Sequence, residues 1–191
     1  MKKVVIVLTL VLLALSLGNT VFAEGPGEDA LLVEDFSEAS AESIWGDWST
    51  FHAAIRVNND EEFIKVGDGS LVITKASEYR QSNASLHNTH ENWNLIVENN
   101  KIGFWLYVVD YENIYENEWA VFIATFDQEG NWLEPLANIR QSDLEPGWNW
   151  IETYIATVDE SIGSLQFGFN HYAPEEGNVF TPVYIDSIYV W

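Results

Sequence analysis

Apolar and polar positions alternate with a period of two along much of the chain, most clearly at its end. From Gly147 the sequence reads GWNWIETYIA, then IGSLQFGFNHY, then TPVYIDSIYVW. Each run is rich in aromatic and β-branched residues and is cut off by Gly, Pro or acidic residues, the punctuation of antiparallel strands. The chain stops inside the third run. A final strand carrying Tyr189 and Trp191 would aggregate if left at an edge. It is therefore expected to pair with an early strand, and Leu31–Phe36 (LLVEDF) is the candidate.

The same alternation recurs at Phe51–Val57, Leu71–Thr74, Lys101–Val109, Glu118–Phe126 and Leu136–Arg140. Phe63–Val66 and Leu71–Thr74, joined by Gly67-Asp68-Gly69, predict a hairpin. Glu78–Asn100 is polar and predicts only short strands, at Ala84–Leu86 and Asn94–Val97, while Ser37–Ser43 predicts one helical turn. About ten strands and no amphipathic helix predict an all-β antiparallel β-sandwich of jelly-roll type. The absence of a repeat period disfavours a propeller or solenoid.

The N-terminus breaks the pattern. Lys2 and Lys3 precede an apolar run, Val4–Leu17, and Val21-Phe22-Ala23 presents small residues where a signal peptidase cuts. Residues 1–23 are read as a signal peptide, the run being short for a spanning helix, and the protein is expected to be secreted. Removing 23 residues from 191 leaves 168, enough for one domain with a substantial core. Within these, 24–30 is expected to be a flexible acidic leader and 31–191 a single domain.

The chain has no Cys, so neither disulfides nor a cysteine-linked lipid is available, and stability must come from the core or a bound ion. Its formal net charge is −22, and −24 without Lys2 and Lys3. Such charge excludes electrostatic binding to nucleic acid or anionic membrane and leaves neutral ligands and cations. Most of the carboxylates then simply solvate the surface. His87 and His90 have a spacing found in metal sites, without further His or any Cys nearby. Asn83-Ala84-Ser85 matches a glycosylation sequon.

In a sandwich, one parity of each strand faces the core and the other is expected to be polar. Here several outward positions are aromatic. With Phe104, Leu106 and Val108 inward, Trp105 and Tyr107 point out; with Ile151, Thr153 and Ile155 inward, Trp150, Glu152 and Tyr154 point out. With Leu165, Phe167 and Phe169 inward, Gln166, Gly168 and Asn170 point out, and Arg140 shares its parity with Asn138. If these strands are neighbours, one face carries rings, amides, a carboxylate and a guanidinium. Rings stack on the C–H faces of sugars while the polar groups bond hydroxyls. On this reading Trp150→Ala and Tyr107→Ala abolish glycan binding without unfolding the protein. The alternative is that the rings are covered by the 110–117 loop or by a partner protein. Trp45, Trp48, Trp93 and Trp148 are expected to be core or loop-packing residues.

Asp35-Phe36, the run Gly67-Asp68-Gly69-Ser70-Leu71-Val72-Ile73-Thr74, Gly103-Phe104-Trp105-Leu106-Tyr107, Gly147-Trp148-Asn149 and Tyr184-Ile185-Asp186-Ser187-Ile188-Tyr189-Val190 occur in an order that resembles jelly-roll carbohydrate-binding modules of the galactose-binding-like fold. The resemblance spans nearly all of the chain beyond the leader. It implies polysaccharide binding on a concave sheet face, mapped onto Trp105, Tyr107, Trp150, Tyr154 and their polar neighbours, and association with secreted glycoside hydrolases. It also implies a structural calcium held by Glu34 or Asp35, the Asp68 turn and Asp186, hard oxygen donors of the kind that cation requires. Taken singly, Asp68 also reads as a turn former and Asp186 as a solvated strand residue.

The opening from Glu34 to Thr74 also resembles the start of laminarinase-like glycoside hydrolases. Those need two carboxylates flanking the scissile bond, and no Glu-x-Asp-x-x-Glu run occurs; Glu116 and Glu118 share a parity only at a strand entrance. Ser-His-Asp and zinc-hydrolase motifs are absent from the sequence as well. The reading is a secreted, non-catalytic module for a neutral, β-linked polysaccharide, with a protein-binding surface as the rival use of the same face.

Overall fold

The computed structural model describes residues 25–37, 46–76, 81–109, 120–155, 161–170 and 182–191. The strands are β1 (Leu31–Glu34), β2 (Trp48–Phe51), β3 (Ala53–Asn58), β4 (Ser70–Lys75), β5 (Gln81–His87), β6 (Lys101–Val108), β7 (Val121–Asp127), β8 (Trp132–Ile139), β9 (Gly147–Tyr154), β10 (Ile162–Asn170) and β11 (Val183–Val190). They form two antiparallel sheets. One has the order β3-β4-β11-β6-β9 with β1 also on β11, and the other the order β2-β5-β10-β7-β8. This is the expected all-β sandwich.

The final strand does pair with Leu31–Glu34, and it lies inside its sheet. One side of β11 runs along β6; the other is shared, with β4 opposite Val183–Ile185 and β1 opposite Ile188–Val190. Where β4 gives way to β1 the register of β11 shifts, and Ser187 takes a φ of 50°. Phe104, Leu106, Ile151 and Ile185 from this sheet meet Leu86, Ile123, Leu165, Phe167 and Phe169 from the other in one apolar cluster. Phe104 and Phe167 meet edge to face at 5.0 Å across the interface. Trp48 and Trp93 join the cluster as expected, whereas Trp148 is half-buried on an outer face.

Two local expectations change. Phe63–Val66 is no strand: Glu61–Phe63 is a 3-10 turn capped by the Asp60 side chain, and the partner of β4 is β3. The turn lays the Phe63 ring flat on Tyr184, 4.4 Å between centroids. Asn94–Val97 belongs to a short helix, Trp93–Glu98, whose Trp93 and Ile96 are buried at i and i+3. Burial of that stripe overrides the strand preference of its β-branched residues. In residues 25–30, Ala30 N–H donates to the Gly27 carbonyl, and a Cβ on Gly25 would stand 3.2 Å from the Trp105 ring. The Ser37–Ser43 turn, the 110–117 loop, Glu116 and Glu118 lie mostly or wholly outside the described residues.

The outer face of the β11 sheet carries its own packed layer. Trp150 is 2% exposed, lying between Trp105, Tyr189 and Trp191, the last stacked on it at 20°. Gly103 opens the space it fills, since a Cβ there would stand 2.5 Å from the indole. The indole Nε1–H donates to Glu152, and Glu152 in turn holds Lys101 at 2.9 Å. Lys101 lies over Trp191 at 4.3 Å and Lys65 over Trp105 at 4.6 Å, within cation–π range. A buried ring in such a setting is a packing element. Trp150→Ala is expected to cost about 3–5 kcal/mol of stability, contrary to the expectation that it would leave folding intact. Urea denaturation followed by tryptophan fluorescence checks this.

Candidate functional site

The eight candidate ligand-binding residues divide between the two opposite faces of the sandwich, because β6 and β9 belong to one sheet and β8 and β10 to the other. Trp105, Tyr107, Trp150, Glu152 and Tyr154 share the outer face of the β11 sheet. There Trp150 and Glu152 are buried and bonded to each other, Tyr107 is packed edge-on by Phe63 and Trp148, and Tyr154 alone is largely free, at 64% exposure. Gln166 and Asn170 lie on the outer face of the β10 sheet, with Arg140 just past the end of β8. The single mixed face assumed from strand parity therefore does not exist.

The register of the β10 sheet arranges its outer side chains in rows across the strands. One row is Phe51, Asn83, Gly168, Phe122 and Asn138; the next is Ser49, Ser85, Gln166, Ala124 and Pro135; a third is His87, Ser164, Phe126 and Trp132. Gln81 and Asn170 pair beyond the first row. The middle row has mostly small side chains, Gln166 apart, and we call this outer strip the trough; Asn83, Ser85, Phe122, Ala124 and Ser164 within it are buried, while Ser49, Phe51, Pro135 and Trp132 toward its ends are exposed. Phe51 and Trp132 rise at opposite edges, 54% and 55% exposed. Pro135 is tolerated because β8 is an edge strand.

Polar groups line this trough in pairs. Gln166 donates to Ser85 Oγ at 3.3 Å, Gln81 donates to Asn83 Oδ1 at 3.2 Å, and His87 Nε2 lies 2.7 Å from Ser49 Oγ. Each hydroxyl or amide so held keeps further donor or acceptor capacity. Asn83 is 4% exposed and paired on both sides in mid-sheet, which closes the sequon to modification in the folded protein. Phe51, Trp132, Gln81 and Ser85 were missed by the sequence reading; outward parity between buried neighbours was the available signal.

The expected metal ligands assemble only in part. Asp186, fully buried, sits in the gap between β4 and β1 and accepts from the Lys65 and Val66 amides and from the Ser187 hydroxyl. Burial pushes its carboxyl above the usual range, and the charge of Asp35 adds to this. Asp35 lies beside Gly67 of the same turn. Glu34 instead bonds His90 at 3.1 Å, and the Asp68 amide donates to Ser37 while Asp68 remains exposed. His87 and His90 turn to different partners, so their spacing builds no shared site. Among the described residues no three His, Asp or Glu side chains converge as a metal cluster. A polar crevice of about 520 Å³ between β1 and the turn after β5 is lined by Glu34, Asp35, Asp47, His90 and Glu91 among others.

No protein-family model matches the chain, and no curated protein sequence matches it. Solved structures do. One is described as a carbohydrate-binding module of promiscuous specificity from the β-sandwich superfamily: TM-score 0.52, 16% identity, 87% of this chain and 64% of that one covered. Another is an arabinose-bound α-L-arabinofuranosidase, with TM-score 0.52, 12% identity, and 87% and 27% covered. A third comprises the CBM22-1–GH10 modules of the Clostridium thermocellum endo-1,4-β-D-xylanase 10B with xylohexaose, with TM-score 0.50, 10% identity, and 84% and 28% covered. The chain thus spans under two thirds of the first and little more than a quarter of the others. At these identities the likeness is one of fold: the jelly-roll sandwich of carbohydrate-binding modules.

The trough depends on Gly168. A Cβ there would stand 1.9 Å from Phe122 Cζ, so the ring lies flat on the bare backbone of β10. Gly168→Ala is expected to lift that ring and lose about 1–3 kcal/mol. In combination with Phe122→Ala the two losses are expected to be strongly non-additive, which thermal denaturation of the singles and the double measures.

Proposed function

We propose that the protein is a secreted binding module that holds an uncharged, β-linked polysaccharide along the trough of the β10 sheet. The observation that carries this reading is the trough itself: a floor of small hydroxyl and amide residues, with exposed rings at both edges. Rings offer stacking surface to sugar C–H faces and the polar rows offer hydroxyl partners. Five strands about 4.8 Å apart give it a length of roughly 19 Å, enough for a short run of sugar rings. The described residues of its rows are uncharged apart from the titratable His87, and the acidity of the whole chain repels polyanions. Such a module acts by concentrating itself, or an associated secreted glycoside hydrolase, on a polymer. The opposite face, with its rings already packed on one another, is the weaker candidate.

Affinity electrophoresis on β-glucan, xylan, mannan and pectin tests this. Retardation by a neutral polymer without release of reducing sugar is expected. Phe51→Ala and Trp132→Ala, each removing an exposed ring, are expected to weaken it by about 1 kcal/mol or more, roughly fivefold, with unchanged melting. Retardation by no polymer, or equal retardation of both variants, would transfer the face to a protein partner.

We further propose a structural calcium at Asp186 and Asp35. The fit is that of a buried carboxylate held beside a second one without a cationic side chain bonded to it among the described contacts. Bound there, the ion would supply the positive charge that two neighbouring carboxylates lack. Because its folded pKa is raised, ionised Asp186 costs the metal-free fold stability, and that cost grows as pH rises through the raised value. Calcium is therefore expected to raise the melting temperature at pH 7 relative to chelator, with no such rise in Asp186→Asn. Equal melting of the wild type with calcium and with chelator would remove the ion from the proposal.

A further inference from the structure

One trough side chain, His87, is titratable. His87 ends β5, and its Nε2 meets Ser49 Oγ diagonally across to β2, Ser49 being the floor residue opposite Ser85. Asp47, two residues before Ser49, is the charge that acts on the ring. Ser164 faces His87 in register from β10 and carries none. On the turn that follows β5, His90 is held by Glu34, and Glu91 lines the crevice on that side.

The neutral ring has two tautomers. With Nε2 bare, the ring accepts the Ser49 hydroxyl proton; with the proton on Nε2, Nε2–H donates to Oγ. In the charged ring both nitrogens carry protons, so Nε2–H donates to Oγ and the hydroxyl proton turns away from the ring, toward solvent or ligand. Protonation thus fixes the floor hydroxyl as an outward donor and adds a positive charge to a face otherwise composed of amides, hydroxyls and rings.

We propose that His87 is a specificity-determining residue of the trough: neutral, it suits uncharged sugars, and protonated, with Nε2–H held on Ser49 and a positive charge on the ring, it shifts preference toward sugars bearing a carboxylate. This rests on the polysaccharide reading above. Burial lowers the His87 pKa while Asp47 opposes the shift, so the ring is neutral at pH 7 and takes up its second proton only in acid.

The test compares full-chain affinity for β-glucan and mannan with that for the same polymers partly oxidised to C6 carboxylates, at pH 7.5 and 5.0. The ratio of carboxylated to neutral affinity is expected to rise at least threefold in acid for the wild type. It should stay flat in His87→Gln, whose amide still reaches Ser49 but cannot titrate, and rise as in the wild type for His90→Gln. A flat wild-type ratio, or the same rise in His87→Gln, overturns the assignment. Binding to none of these polymers at either pH overturns both this inference and the polysaccharide reading, whereas binding with a flat ratio overturns this one alone.

Discussion

The sandwich depends on a single strand having three partners. β11 carries β6 along one side and, along the other, β4 and then β1, so it ties the start, middle and end of the chain into one sheet. Its aromatic residues are thereby kept off an edge, where they would recruit other chains. The handover from β4 to β1 leaves a gap in the ladder. Asp186 fills it from the outer side, bonding the amides of Lys65 and Val66. A buried carboxylate is an expensive filler unless its charge is compensated, and it stands where the register of β11 shifts and Ser187 takes a positive φ.

Strand parity was legible in the sequence and sheet membership was not. Period-two alternation separates the two sides of a strand, and it placed Trp105, Tyr107, Trp150 and Tyr154 on one side of β6 and β9, and Gln166 and Asn170 outward on β10. Nothing in that alternation says which strands are neighbours. β9 and β10 follow one another in sequence but lie in different sheets, so residues grouped by parity ended on opposite surfaces. The hairpin forecast at Phe63–Val66 failed for a related reason: the pairing partner of β4 comes from farther upstream, and Phe63 is used as a ring over Tyr184 instead.

Exposure was also beyond reach of the pattern. Trp150 does point outward, yet Trp105, Tyr189 and Trp191 close over it, with Lys65 and Lys101 laid across the layer's outer rings. Around Trp150 the neighbours on β6 and β11 are other indoles and phenols; on the β10 sheet Phe51 faces Asn83 and Trp132 faces Phe126 from the edge strand β8, and both rings stay exposed. The difference lies in residues two strands away, which no reading of one strand at a time contains.

The two outer faces therefore do different work. On the β11 sheet, ring–ring contacts and the Trp150–Glu152–Lys101 chain satisfy one another, leaving little polar capacity to offer a ligand. On the β10 sheet, Ser85, Asn83 and Ser49 are each held by one neighbour and retain donors or acceptors beyond it. A surface that binds sugars must be ordered before the ligand arrives, since ordering it on binding would consume affinity. On the proposed reading, single side-chain bonds that orient each group without exhausting it meet that requirement. Gly168 matters on the same face: with no side chain of its own, it lets Phe122 lie against the backbone of β10.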